Sequence, residues 1–181
     1  MSVNVICPAY QSFPMIVPSL LCQTDPGWRL WICHDGPNET YDKFKDFYND
    51  SRICWIHCKE RVGNYGHPIR AELLKGELPG RYTLITNHDD YLTPTLIQRI
   101  NECTTDVVAW NCIHNYWQYD YLPLKLKFGS VDVSSLCVRS DYAKEIGWPN
   151  NEVASDYLYV QRVVEKTSDW TFLKGCGLVH N

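Results

Sequence analysis

The sequence predicts a single α/β domain with a mostly parallel central sheet flanked by helices, and three observations carry that prediction. Short apolar runs alternate with amphipathic segments through the first 103 residues, the pattern of a parallel sheet covered by helices on both faces. The 181 residues, 45% of them hydrophobic and 13% aromatic, suffice for one substantial core and are too few for two comfortable domains. No internal repeat, low-complexity tract or flexible linker divides the chain.

The elements follow in order. Residues 3–7, VNVIC, are apolar and closed by Pro8, which reads as a buried strand ending in a loop. Residues 15–23 carry apolar side chains at helical spacing, and TDPG at 24–27 is turn chemistry. WRLWIC at 28–33 is a second strand, 41–48 a helix, and ICWIHC at 53–58 a third strand. PIRAELLK at 68–75 is helical and is broken by 77–80; residues 82–86 form the fourth strand, and 94–103 a helix with proline in its first turn. The second half is less regular. VVAWNCIH at 107–114 is a strand, 116–128 is aromatic with several lysines, and 131–138 is another strand. Helices at 141–146 and 155–166 precede two short strands at 170–173 and 178–180.

A net charge of −4 with no run of Lys or Arg argues against a nucleic-acid partner, whose phosphates need a basic face. An anionic ligand would then need a metal to help hold it. The nine cysteines are scattered among apolar residues, and the N-terminus is too short and too polar for a signal peptide. Both features suit a reducing, cytoplasmic setting with buried thiols. No apolar run approaches the ~20 residues of a membrane span, so no integral membrane segment is expected.

In open parallel sheets ligands collect outside the carboxyl ends of the strands. Three polar clusters fall there and are expected to converge: Pro8, Ala9 and Tyr10; His34, Asp35 and Gly36; and Asn87, His88, Asp89 and Asp90. Asn87 and Asp89, with Asp90 adjacent, offer hard oxygen ligands of the kind that hold Mg²⁺ or Mn²⁺ against a diphosphate. Adjacent acids also occur in solvated turns, and Asp90 is placed to cap the helix opening near Pro94. Asp35 reads either as an acceptor for a base or ribose or as a turn aspartate. The loop Gly63-Asn64-Tyr65-Gly66 before a helix with Arg70 in its first turn suits phosphate or base contact. Neither GxGxxG nor GxxxxGK[ST] occurs, which disfavours a dinucleotide site and a P-loop. Cys54, His57 and Cys58 could suggest zinc, but period-two spacing puts Cys54, Ile56 and Cys58 on one strand face, where core thiols are the better reading. Trp110, Tyr116, Trp117, Tyr119 and Tyr121 fit either core packing or stacking on a sugar.

Taken in order, VNVICPAYQS, LWICHDGPNE, GNYGHPIRAELLKGELPGRYTLITNHDDYLTP, SSLCVRSDYAKEIGWP and ASDYLYVQRVVEK resemble the GT-A-fold glycosyltransferases, in particular the family-2 group that uses nucleotide-sugar donors. The resemblance spans nearly the whole chain and implies a Rossmann-like sheet. It makes residues 1–103 a nucleotide-sugar-binding half and 104–181 an acceptor-binding half. It further implies that Pro8, Ala9, Tyr10 and Asp35 hold the nucleoside of a UDP-sugar, with Asn64 and Arg70 near base or phosphate. Asn87, His88 and Asp89 would form a DXD-like motif whose first acid is replaced by amide. Asp89, with Asn87 and His180, would bind Mn²⁺ or Mg²⁺. Asp156 would be the catalytic base of an inverting transfer, although Ser155 stands where a glutamate is usual.

The family's Gln-x-x-Arg-Trp motif of processive synthases is absent, which points to transfer of one sugar to a hydroxyl of a glycan or small-molecule acceptor. Residues 116–129 are expected to close over the site and exclude water. Two competing readings are a non-catalytic nucleotide-sugar-binding module and a sugar-phosphate nucleotidyltransferase; the latter lacks its glycine-rich, lysine-terminated first loop here.

Overall fold

A computed structural model describes residues 2–10, 13–115, 120–123, 125, 127, 130–149 and 154–181. The elements are β1 (Val3–Ala9), α1 (Ile16–Leu21), β2 (Trp28–His34), α2 (Glu39–Phe47), β3 (Ile53–His57), α3 (His67–Lys75), β4 (Tyr82–Ile85), β5 (Tyr91–Leu92), α4 (Leu96–Asn101), β6 (Val107–His114), β7 (Asp120–Leu122), β8 (Leu136–Arg139), α5 (Ser140–Ile146), α6 (Ser155–Lys166) and β9 (Trp170–His180). Among the described residues one sheet runs in the order β3-β2-β1-β4-β8-β6-β9-β5, with β7 added to β6. Strands β3, β2, β1 and β4 pair in parallel, as the alternation of the first half predicts. Beyond β4 the sheet is mixed: β8 is antiparallel to β4 and β6, β6 and β9 are parallel, and β5 and β7 are antiparallel additions.

Every residue of β1 is buried, because helices cover both faces and a strand so placed needs no polar side. Val3, Val5 and Cys7 join the core under α1, α2 and α4, whereas Ile6 joins the opposite core under α3, α5 and α6. Asn4 breaks the apolar run without leaving an orphaned group. Its amide donates to the Gly80 carbonyl and Ser140 Oγ, and its oxygen accepts from the Gly80 N–H, tying β1 to the approach to β4 and the start of α5.

The departures from expectation have local causes. The strand expected at 131–138 begins only at Leu136, because the Asp132 side chain accepts the Ser134 N–H and starts a 3₁₀ turn over Val133–Ser135. The two short strands expected near 170 and 178 are one strand, β9, whose pairing with β6 shifts register around Asn111. Gly175 supplies a φ of +82° within it, and a Cβ on Gly177 would stand 2.5 Å from Trp110 Cδ1. Strands β5 and β7 are too short to leave a periodic signal. Cys54 and Cys58, expected as core thiols on one strand face, are only half-buried; Cys58 follows the end of β3, and its Sγ lies 3.8 Å from Cys33 Sγ on β2. Trp110 is fully buried and Tyr121 is exposed. Tyr116, Trp117, Tyr119 and most of the segment 116–129 expected to close lie outside the described residues. Among the described residues no helix is long and apolar enough to cross a membrane.

Candidate functional site

The parallel pairing of β1, β2 and β4 brings their carboxyl ends together, and the three predicted clusters meet there. The Asp35 N–H donates to the Ala9 carbonyl at 2.7 Å. The Tyr10 ring, largely exposed, packs edge-on against His88 with centroids 4.3 Å apart. Pro8 seats the start of α3: a Cβ on Gly66 would come within 2.6 Å of the Pro8 Cβ, so only glycine lets the helix approach the end of β1 this closely.

The loop before α3 is strained. Asn64 and Tyr65 both have φ of 51° between Gly63 and Gly66, themselves at positive φ, and such left-handed non-glycine residues cost on the order of 1–3 kcal/mol each. Two side chains hold it. Asp35 accepts the Val62 N–H on Oδ1 at 2.6 Å and the Gly63 N–H on Oδ2 at 2.9 Å, and Arg70 Nη1 donates to the Tyr65 carbonyl at 2.7 Å. The carboxylate expected to meet a base or ribose thus already shapes the loop that walls the crevice.

Arg70 is buried, and its guanidinium lies 5.2 Å from the Trp148 ring. Nη2 donates to Asn87 Oδ1, and Nε makes no hydrogen bond. Burial pulls its pKa below the usual guanidinium value, while the charges of Asp156, Asp90 and Asp132 act in the opposite direction; it remains cationic. An aspartate at position 87 would cancel that charge directly, whereas Asn87 accepts the hydrogen bond and leaves the charge standing. His88 is fully buried and makes no hydrogen bond, and burial lowers its pKa, so the ring is neutral. The geometry has it back the Tyr10 ring.

Asp89 is half-buried, but Asp90 is wholly buried and does not cap α4, whose N-cap Thr95 makes no side-chain cap. Asp90 is a hub. Its Oδ2 accepts from Thr86 Oγ1 at 2.6 Å, the Asn87 N–H at 2.8 Å and Ser134 Oγ at 2.7 Å, and Oδ1 pairs with His180 Nδ1 at 2.6 Å. Burial alone would raise the Asp90 pKa, but the His180 hydrogen bond and charge, with the hydrogen bonds of Thr86 and Ser134, hold it below the ordinary value. Burial alone would lower His180, but the hydrogen bond and charge of Asp90, helped by Asp132, raise it to about 9. The two form an ion pair at neutral pH.

Beside this pair stand Asp132 and His114, which no sequence pattern had singled out. Asp132 Oδ2 lies 3.7 Å from His180 Nδ1 and 3.7 Å from His114 Nε2. Burial, then the negative charge of Asp90, raises the Asp132 pKa to about 7; burial, then the positive His180, lowers His114 to about 4. Two sets of side chains have ligand atoms mutually within 4.8 Å: Asp89, Asp90 and His180, and His114, Asp132 and His180. The predicted ligands Asp89 and His180 therefore meet, whereas the Asn87 oxygen is engaged by Arg70. A signal for His114 was present, since it closes an apolar strand at the end where ligands collect. Asp132 was hidden inside a run read as strand.

A group whose folded pKa is raised from 3.8 to about 7 opposes folding progressively between those values and fully above the higher one. Asp132→Asn retains an oxygen for the Ser134 N–H and removes the charge. It is expected to stabilise the metal-free protein at pH 8 by roughly 2 kcal/mol or more and by little at pH 4, as read from urea unfolding at the two pH values. A gain of equal size at both would show that Asp132 is not the strained carboxylate. His180 has the opposite sign: its pairing contributes fully below about 6.5 and is lost as pH rises through about 9.

Asp156 lies in the first turn of α6, where its Oδ2 accepts the Val133 N–H at 3.4 Å, and it is the foremost acidic charge acting on Arg70. Ser155, in place of the usual glutamate, donates through Oγ to the Pro149 carbonyl at 2.8 Å and is buried. It anchors the approach to α6.

No protein-family model and no curated protein sequence matches the chain. Solved structures do. TarS of S. aureus, residues 1–349, in complex with UDP is similar over 99% of this chain and 60% of its own at 16% identity, with a TM-score of 0.80. GalNAc-T7 with UDP, GalNAc and Mn²⁺ is similar over 99% of this chain and 44% of its own at 13% identity, with a TM-score of 0.68. The inositol-1-phosphate CTP transferase of T. maritima covers 98% and 88% at 10% identity, with a TM-score of 0.61. The chain spans 37% of a longer TarS structure and 60% of the shorter ones. Parallel β3-β2-β1-β4, the mixed extension through β8, β6 and β9, and helices on both faces give this chain a GT-A-like fold.

Proposed function

We propose that this chain transfers a sugar from a UDP-sugar to an acceptor hydroxyl, with inversion at the anomeric carbon and with a divalent cation bound. The observation that carries the reading is the meeting of Asp89, Asp90 and His180 with the buried Arg70 at the carboxyl ends of the strands. Arg70 hydrogen-bonds two uncharged oxygens, so its charge is available to a diphosphate. The reading also draws on UDP in the TarS structure and UDP and Mn²⁺ in that of GalNAc-T7.

Asp89 and His180 would hold Mn²⁺ or Mg²⁺, with Asp90 fixing the His180 ring. A carboxylate, with an imidazole, suits such an ion, and when bound it offsets the charge of a departing diphosphate. Tyr10, Pro8 and Ala9 would carry the uracil and ribose, and the Asn64 loop shaped by Asp35 would border them. As the bond from the anomeric carbon to the diphosphate oxygen breaks, an acceptor oxygen forms the new glycosidic bond and passes its proton to Asp156. The nucleotidyltransferase reading ranks lower because Pro8, Ala9 and Tyr10 occupy the first loop where that chemistry uses a glycine-rich, lysine-bearing one.

Calorimetric titration with UDP tests the reading. Wild type is expected to bind UDP in the presence of Mn²⁺ at least about tenfold more tightly than without it, and Asp89→Ala is expected to lose that gain. UDP binding that ignores both the metal and the substitution would sink it.

A further inference from the structure

His114, Asp132 and His180 form a second group beside the strand-end acids, and of the three only His180 has a part in the transfer chemistry proposed above. The geometry of the group is set by the sheet. His114 and His180 pair in register at the ends of parallel β6 and β9, and their rings stack with centroids 4.3 Å apart and planes inclined by 29°. Asp132 reaches them from the 3₁₀ turn before β8. One of its oxygens takes the Ser134 N–H, while the other, Oδ2, is buried and accepts no hydrogen bond, although the residue is only 5% exposed. Leaving a buried carboxylate oxygen without a donor is costly.

That oxygen lies 3.7 Å from a nitrogen of each imidazole. Two ligand atoms on a tetrahedral ion with bonds of about 2.0–2.1 Å stand roughly 3.4 Å apart, so both carboxylate–imidazole pairs are near that spacing, and all three ligand atoms lie within 4.8 Å of one another. Two imidazoles and one carboxylate form a donor set for zinc and its transition-metal neighbours, while the oxygen-rich Asp89 side suits magnesium or manganese. We propose that His114, Asp132 and His180 form a binding site for a zinc-class divalent cation, which competes for His180 with the ion held by Asp89. Only the competition rests on the glycosyltransferase reading; the site itself does not. Binding through His180 Nδ1 would require the proton that this nitrogen shares with Asp90 to leave to solvent, which would undo the contact that fixes the ring for the ion at Asp89.

Metal-free protein titrated with Co²⁺, whose visible absorption reports its ligands, tests the proposal, with Zn²⁺ used to displace it. Wild type and Asp89→Ala are expected to bind one Co²⁺ with similar affinity, and His114→Ala and Asp132→Asn to bind it roughly 100-fold or more weakly. Asp132→Asn is expected from its charge to fold at least as stably as wild type, so its loss of binding cannot be laid to unfolding. Zn²⁺ is further expected to weaken Mn²⁺-dependent UDP binding in wild type and not in His114→Ala. Cobalt binding that survives in both His114→Ala and Asp132→Asn, or that disappears in Asp89→Ala, would overturn the site. Cobalt binding as expected, with no Mn²⁺-dependent UDP binding, would overturn the glycosyltransferase reading and leave the site in place.

Discussion

Asp156→Asn is expected to lower sugar transfer from a UDP-sugar roughly 10²–10⁴-fold, the usual contribution of a positioned general base. Mn²⁺-dependent UDP binding should be unchanged. The amide keeps the size of the side chain and an oxygen to accept the Val133 N–H, and it leaves a polar residue in the first turn of α6. What it cannot do is take the acceptor's proton. The loss should therefore fall on kcat, with the Michaelis constant for the donor little altered. Transfer assays beside calorimetry separate the two, and wild-type turnover in the variant would assign the base to another group. A UDP-binding defect of the same size would instead make Asp156 part of the electrostatic setting of Arg70, which its charge already influences.

The largest effect on stability belongs to the neighbour of the candidate metal ligand. Asp90→Ala is expected to destabilise the fold by about 3–5 kcal/mol, the range for removing one partner of a buried ion pair. The deletion strands the Thr86 and Ser134 hydroxyls and the Asn87 N–H, and it leaves the His180 ring without its partner at 2.6 Å. Asp89→Ala, at a half-buried position one residue away, is expected to change stability by much less. Urea unfolding of the two variants makes the comparison. Equal and small losses in both would mean that Asp90 holds nothing together.

The adjacent acids of NHDD thus divide their labour, and nothing in the four letters says which does what. The sequence does say that they end a buried strand. Strands β1, β4 and β6 were legible because a strand covered on both faces is an apolar run, β2 and β3 as short apolar runs although they are partly exposed, and the helices because each buries one stripe. The meeting of Tyr10, Asp35, Asn64, Arg70 and Asp89 was legible through the rule that parallel strands present their carboxyl ends together. Asp132 was not, because a cap to a single 3₁₀ turn leaves the same alternation as the strand it displaces. The continuity of β9 was hidden for a related reason: residues 174–177, with two glycines, separate the two apolar runs expected as short strands, whereas the structure carries the strand through on a shifted register. The direction of Asp35's hydrogen bonds, inward to the loop it shapes, depends on a partner segment 27 and 28 residues away, and no local pattern records that.

The docking of β9 has a kinetic side. His180 reaches Asp90 across 90 residues of chain, and it meets His114 only once β6 and β9 have paired along their length. Contacts of such separation close late, after the loop entropy of everything between them has been met. The crevice at the carboxyl ends of β1, β2 and β4 can therefore form before His180, the proposed second ligand of the cation, has arrived. Any chain with β9 undocked counts as a non-binder, so the apparent affinity for the ion is the intrinsic one scaled by the docked fraction. A metal titration of this protein is in that sense also a census of finished molecules.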